Sequence, residues 1–566
     1  GLSAMTADLT LLLPLTVLWP MLLAGLALLP GWGPRMVMFL PLGPLPALAA
    51  ALFAPRDTPV ALPGVLLDGG LELTATGAIF LGGAAVLWFW AGVYAADYLR
   101  RDSRPAAFAL FWNLVLAGNL GVVIAADIVS FYVFFALVSL LAYPLVIHDR
   151  KPASMRAGTV YLVLAVLGEV AILVGLMLAS HGAGGAIGIE AVRAALALPS
   201  THPAALGLLI AGFGIKAGLM PLHVWLPVAH PAAPVPASAV LSGAIVKAGI
   251  FGMVALLPLG TPAAVAGNLL TILGFSGLFL AALLAVGQAG AKSVLAYSTV
   301  SQMGLVMGVL GVALAAGSAP ATVLPAVALF ALHHGLAKGA LFLGVGLAPL
   351  CGRGWRWGLM AVLAVLGLSL AGMPLLAGAL VKSAMKDPAG ALGATLIGLS
   401  ALTTALAMAR YLAVLPTAKP HRRPPLLMAL PFLALAGAAL WLPWLLYADV
   451  TGKSPLAADL ASKLAEAWPL GLAVLLIAGA VAVGLKPPTL PEGDALGPVQ
   501  RRAAALTAAA RAALRAGSRS LRRSRPKPQI VIGEDLDRIE DIFREGAAAA
   551  ILVLAITGAV VAASLI

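Results

Sequence analysis

Apolar stretches about twenty residues long, the length a helix needs to cross the hydrocarbon core of a bilayer, recur along this chain from Leu9 to Ile566. In lipid such a stretch has one stable backbone solution, because each N–H and C=O must find its partner within the same helix. The composition agrees, with 61% hydrophobic and 10% charged residues. A chain so poor in charge cannot dress a soluble globular surface. The expected fold is an all-α, multi-pass membrane protein.

Sixteen spans can be drawn, at 9–30, 34–54, 74–98, 107–126, 128–148, 158–180, 204–219, 234–258, 264–287, 291–314, 322–348, 357–383, 389–415, 427–447, 464–486 and 546–566. The opening GLSAM reads as a tag remnant before a native start. The first span lacks a charged n-region and a small-residue cleavage site, so it is expected to be a retained helix, not a signal peptide. Short cytoplasmic loops carry the arginine and lysine excess. Here the loops after odd-numbered spans hold Arg35, Arg100, Arg101, Arg104, Arg150, Lys151, Arg156, Arg353, Arg356, Lys419, Arg422 and Arg423, whereas those after even-numbered spans hold only scattered Arg56, Arg193, Lys386, Lys453 and Lys463. Both termini are therefore expected to face outside, across a bacterial cytoplasmic (inner) membrane.

The net charge of +13 does not point to nucleic acid, since much of it lies in residues 500–525, eight arginines with no acid, within the segment 487–545 between the last two spans. Its run RRAAALTAAARAALRAGSRSLRR, with Leu506, Leu514 and Leu521, suits a helix on an anionic membrane surface or a partner; a solvated basic linker is the competing reading. Pro526 and Pro528 should break a continuous helix, which leaves a short strap rather than a long rod. Cys351 is the sole cysteine, which excludes cysteine-ligated clusters and internal disulfides. With no Gly-rich nucleotide loop and no HExxH pattern, neither a cofactor nor a metal nor a catalytic site is expected. Any driving force must come from a partner or an ion gradient.

Within this apolar chain, residues 214–251 read GIKAGLMPLHVWLPVAHPAAPVPASAVLSGAIVKAGIF and set Lys216 and Lys247 inside membrane spans. A charge at mid-membrane costs roughly 2.5–3.5 kcal/mol on insertion scales, so such a lysine marks a functional site by default. Ion movement is the class of function it indicates. Pro221 follows Lys216 by five residues, and Pro374 precedes Lys382 by eight. Proline breaks a helix, and membranes tolerate the break where the freed groups line a polar path.

The run from Gly214 to Met253, with AKSVLAYSTVSQMG from Ala291, HHGLAKGALFLGVG from His333 and GMPLLAGALVKS from Gly372, resembles the antiporter-like proton-translocating subunits shared by respiratory complex I, membrane-bound hydrogenases and Mrp-type cation/proton antiporters. The resemblance implies two inverted five-helix repeats, helices four to eight (107–258) and nine to thirteen (264–415), each with a broken helix. Spans one to three (1–106), fourteen and fifteen (427–486) and the last (546–566) would then be additions that pack against other membrane subunits. The LPVAHPAAP string at 226–234 leans toward the hydrogenase and Mrp branches.

By motif position, Lys216 resembles the helix-seven lysine that accepts and releases the proton, and Lys247 the helix-eight relay. His334 and Lys338, four apart and so on one face, resemble the central connection, with His333 beside them; Lys382 resembles the terminal lysine. Lysine desolvated in a low-dielectric site, and histidine anywhere, can be switched by a nearby charge. Bland readings compete. Lysines near helix ends snorkel, the preferred reading for Lys292 and an open one for Lys382. His333 reads better as a packed histidine than as a relay. His223 and His230 read as structural or gating residues rather than metal ligands, and Asp127 as either an uptake carboxylate or an interfacial charge.

One departure stands out. In SFYVFFALVSLLAYPLVI (130–147), where the family carries a glutamate partner for the helix-seven lysine, the aligned residue is Ala136. The one acid deep in the neighbouring helices is Glu169, in LVLAVLGEVAILVG, and it is expected to replace the missing glutamate. Three functions follow: a proton-translocating subunit of a redox- or gradient-driven complex, as in a quinone reductase or hydrogenase; a sodium/proton exchanger subunit or ion-coupled inorganic-carbon uptake partner; or a non-conducting scaffold. A scaffold gains nothing from keeping buried lysines at four costly positions.

Overall fold

The computed structural model describes residues 9–416, 423–455, 464–485, 489 and 490. The chain divides into two compact units, residues 1–61 with 70–492 and residues 62–69 with 493–566. Of the second, only 62–69 are among the described residues, so the basic segment 487–545, the expected strap and the sixteenth span lie outside them.

The first unit is a helical bundle. Its membrane helices are α1 (Leu12–Ala27), α2 (Gly33–Phe53), α3 (Ala75–Tyr98), α4 (Pro105–Ile124), α5 (Ile128–Val146), α6 (Pro152–Gly182), α7a (Ala204–Ala217), α7b (Trp225–Ala232) and α8 (Val235–Leu256). They continue with α9 (Ala264–Val286), α10 (Ala291–Ala316), α11 (Pro320–Leu347), α12a (Arg353–Ala371), α12b (Ala377–Lys386), α13 (Gly390–Ala413), α14 (Leu426–Thr451) and α15 (Trp468–Ala482). A two-stranded hairpin, β1 (Val60–Ala61) with β2 (Gly70–Leu71), joins α2 to α3.

Twelve described helices are long and apolar enough to span, while α1, α7a and α15 are shorter. Of the sixteen spans drawn from the sequence, the described residues hold twelve helices long enough to cross and three short apolar ones, and the sixteenth lies outside them. Local chemistry explains much of the irregularity. Pro34, Pro41, Pro44 and Pro46 deny α2 regular backbone bonds, and its first part, Gly33–Leu42, is a tight 3₁₀ coil. Where proline suits a helix, at the first turn with its fixed φ, it opens α4, α6 and α11.

Depth in the bundle is uneven. The most apolar stretch of α11 is wholly buried and those of α4 and α8 are 94% buried, against 39% for α6 and α14. Tight contact between α9 and α10 comes from small residues: a Cβ on Gly274 would lie 2.3 Å from the Gly308 nitrogen, and one on Gly311 2.4 Å from that of Thr271. Without a hydrophobic drive between helices in lipid, such small-residue seams supply the association.

Both proline-marked helices are broken. The α7a half ends at Ala217, Gly218 turns left-handed at φ 84°, and Pro221 lies in the link to α7b. Trp225 ties the halves by donating from Nε1 to the Ile215 carbonyl at 2.7 Å. The α12a half ends at Ala371, and Gly372 at φ 95° and Leu375 at φ 69° carry the chain past Pro374 into α12b. A left-handed leucine is strained, so the turn is held by its surroundings. Ser369 Oγ accepts from the Gly378 amide at 3.1 Å across this break.

Candidate functional site

Lys216 occupies the last turn of α7a and is 5% exposed. There its charge meets the negative end of the half-helix dipole and the unpaired terminal carbonyls. Its Nζ donates to Tyr161 Oη at 3.3 Å, and Tyr161 donates on to the Ser139 carbonyl at 2.5 Å. The ammonium also lies 5.7 Å from the Tyr161 ring centroid and 6.0 Å from that of Phe135, within reach of cation–π attraction.

Glu169 shares this place. Buried on α6 at 5% exposure, it lines with Lys216, Tyr161, Ser139, Phe135 and Trp225 one small cavity of about 10 Å³. Ser139 stands beside the carboxyl on the cavity wall, and Lys216 is the opposite charge that acts on it. The two do not touch as an ion pair, and Glu169 Oε2 is buried without a hydrogen-bond partner. Ala136 lies three residues before Ser139 on α5, on the same helix face, and is half-buried.

A second group lies on α8, α10 and α11. A π turn, Leu241–Ile245, interrupts the regular ladder of α8 just before Lys247; such bulges collect at functional sites. The Ser242 carbonyl in that turn accepts from Lys247 Nζ at 2.5 Å, and His334 Nδ1 lies 2.7 Å from the same nitrogen. One turn on, Lys338 Nζ donates to the Leu295 carbonyl at 3.1 Å. Beside Lys247 a cavity of about 30 Å³ is walled partly by Phe80 and Gly83 of α3 and by Asn119 of α4. The third helix, read from sequence as packing against other subunits, therefore also lines this group.

Lys382 lies on α12b, 6% exposed. Its Nζ donates to Ala371 O at 3.2 Å and Ser400 Oγ at 3.1 Å, so it too ends at the carbonyl end of a half-helix, α12a. A Cβ on Gly372 would press within 3.2 Å of its Cδ. A cavity of about 280 Å³ opens beside it, walled by α12b, α13, α14 and α15, and carrying Lys386, Asp387, Lys453 and Glu466. The last four form the ion pairs Lys386–Glu466 and Lys453–Asp387.

Other expected residues stand apart from these groups. His333 Nε2 lies 2.9 Å from Ser369 Oγ, which fastens α11 to the break in α12. Asp127 caps α5: its carboxylate accepts from the amides of Val129, Ser130 and Gly70 at 2.9, 2.8 and 2.8 Å and from Ser130 Oγ at 2.7 Å. His230 stacks on Phe342 with centroids 4.6 Å apart, and His223 lies 5.9 Å from the Tyr297 ring. Lys292 donates to the Ala233 carbonyl at 2.5 Å. Tyr161, Ser139, Ser242, Ser369 and Ser400 were not legible as site residues, because an isolated hydroxyl in an apolar helix carries no spacing signal.

The sequence model of the NADH:quinone oxidoreductase/Mrp antiporter transmembrane family matches residues 125–353, the stretch that holds Lys216, Lys247 and Lys338. Hydrogenase-4 component B of Escherichia coli is 33% identical over 45% of this chain and 39% of its own length. NADH-quinone oxidoreductase subunit N of Desulforudis audaxviator is 31% identical over 60% of this chain and 70% of its own length. The chain spans less than half the length of the first curated relatives it matches. The Mrp complex of Dietzia superimposes with a TM-score of 0.70 over 96% of this chain and 63% of that one; at 24% identity the likeness is one of fold. Fold, buried lysines and relatives agree: this is a multi-pass membrane protein of the NADH:quinone oxidoreductase/Mrp antiporter family.

Proposed function

We propose that this chain is a proton-translocating subunit of a larger membrane complex, in which protons pass by way of Glu169, Lys216, Lys247, His334, Lys338 and Lys382. The observation that carries the reading is the pairing of Lys216 with Glu169 around one small cavity. Making and breaking the influence of Glu169 raises and lowers the proton affinity of Lys216, and an exchangeable affinity is what a pump needs. Pro221 and Pro374 serve the path by ending the half-helices whose carbonyl ends hold the two terminal lysines. Asp127, saturated as a cap, and His333, fastened to Ser369, support the frame. Loop charge favours a bacterial cytoplasmic membrane with both termini outside.

A second reading, sodium/proton exchange, has one observation in its favour: the matching family includes Mrp antiporters. Both are tested on the chain purified with its native partners and put into liposomes, with a pH-sensitive dye. Proton movement on supplying a redox substrate, lost in Lys216→Ala and Glu169→Gln, supports the proposal. Movement driven by a sodium gradient alone supports exchange, and unchanged movement in both variants overturns the path.

A further inference from the structure

We infer that Asn119, anchored by Trp88, is a positioning residue that holds the π turn of α8 in shape and so keeps Lys247 set against His334 for proton transfer. The inference rests on the reading of Lys247 and His334 as members of the proton path and adds the means by which their contact is maintained.

Carbonyls in the turn Leu241–Ile245 step out of the regular helical ladder and take other partners. That of Ser242 accepts from Lys247 Nζ. That of Ala244 accepts from Asn119 Nδ2 of α4 at 3.4 Å, and Asn119 Oδ1 accepts in turn from Trp88 Nε1 of α3 at 3.0 Å. An indole nitrogen can only donate, so Trp88 fixes which end of the amide faces it and leaves Nδ2 for Ala244. Trp88 and Asn119 are both buried. A buried amide is costly unless bonded, and a leucine would fill the same space without that cost.

Packing shows why a clamp is needed on this side. Toward α11 the turn can come no closer: a Cβ on Gly243 would lie 2.8 Å from the Gly335 carbonyl oxygen, and one on Gly335 2.6 Å from that of Gly243. Toward α10, Ser242 Oγ and Thr299 Oγ1 hydrogen-bond at 2.7 Å. Toward α3 and α4 lies the cavity of about 30 Å³, with Asn119 and Ala244 both on its wall. There the turn has room to relax, and the Asn119 amide ties it across the gap. Released, the turn drifts from α11 and carries Lys247 away from His334 Nδ1, now 2.7 Å distant. A misplacement of about 1 Å can slow a positioned transfer about a hundredfold.

The test combines Asn119→Leu with Trp88→Phe, so that neither partner of their hydrogen bond is left stranded; replacing both by apolar groups is close to neutral for stability. The chain is purified with its native partners and put into liposomes. Proton transport should fall about a hundredfold, and high-resolution cryo-EM should show Lys247 Nζ beyond hydrogen-bond distance of His334. The ratio of rates in H2O and D2O should also rise above that of wild type, because the misplaced transfer becomes the slow step. A role in folding alone lowers the yield of complex and leaves that ratio unchanged. Wild-type transport, an unchanged ratio or an unmoved Lys247 overturns the inference. Should the double variant fail to assemble, Trp88→Phe alone decides, since it loosens Asn119 but leaves the amide: transport slowed about fivefold supports the inference and a wild-type rate overturns it. The reading of the path itself fails separately, if Lys247→Ala transports normally.

Discussion

The two broken helices set the same residue type against the same feature and then part company. Lys216 and Lys382 both end at the carbonyl terminus of a half-helix, one within α7a's own last turn and the other reaching back from α12b to Ala371. Around Lys216 the cavity is small, about 10 Å³, and Glu169 shares it as the counter-charge. Around Lys382 no acid among the described residues is in hydrogen-bond contact; a backbone carbonyl and the Ser400 hydroxyl hold it, with a cavity of about 280 Å³ alongside. A buried charge can be stabilised by an opposite charge or by solvent. The first half uses a charge that can be switched; the second has room for water. On the proposed function, coupling would belong to the Lys216 end and exchange with the aqueous phase to the Lys382 end.

This contrast predicts a graded series. Glu169→Gln, which leaves Lys216 buried without its counter-charge, should reduce proton transport to background in the liposome dye assay. It should also lower unfolding stability, because the buried Lys216 charge loses the nearby carboxylate that offsets it. Lys382→Ala should cost transport only about tenfold, because water in the large cavity keeps a route open; loss equal to that of Glu169→Gln would erase the distinction between the two halves. Tyr161→Phe removes one hydrogen bond from Lys216, worth about 1 kcal/mol, and should slow transport about fivefold. Smallest of all, Glu466→Gln breaks a solvent-exposed pair with Lys386 on the rim of the Lys382 cavity. Such pairs contribute about 0–1 kcal/mol, so its effect should stay within a few-fold and fade with added salt.

Much of this was legible in the sequence, because lipid leaves so few options. Spans of apolar residues must be helices, and Lys216, Lys247, Lys338 and Lys382 are conspicuous because each is costly there. The resemblance's missing glutamate at Ala136 and the lone Glu169 pointed together to a relocated partner, and Glu169 and Lys216 do line one cavity. What the one-dimensional pattern did not carry was distance between helices. Nothing in the spacing tells that Ser139 faces Glu169, that Phe80 and Gly83 of α3 wall the Lys247 cavity, or that α14 and α15 wall that of Lys382. The π turn before Lys247 was equally silent, since LSGAI is compatible with a regular helix. The irregularity of α2 was written in its four prolines but outweighed by its hydropathy.

The central claim is that Glu169 does for Lys216 what a glutamate at position 136 does elsewhere in the family. The most direct measurement compares proton transport in wild type, Glu169→Gln and the double variant Ala136→Glu with Glu169→Gln, each purified with its native partners in liposomes. Ala136 is half-buried on α5, next to Phe135 and three residues before Ser139, both of which line the Lys216 cavity. The account predicts that Glu169→Gln is inactive and that adding the glutamate at 136 restores a substantial part of the wild-type rate. Wild-type transport in Glu169→Gln alone would contradict it.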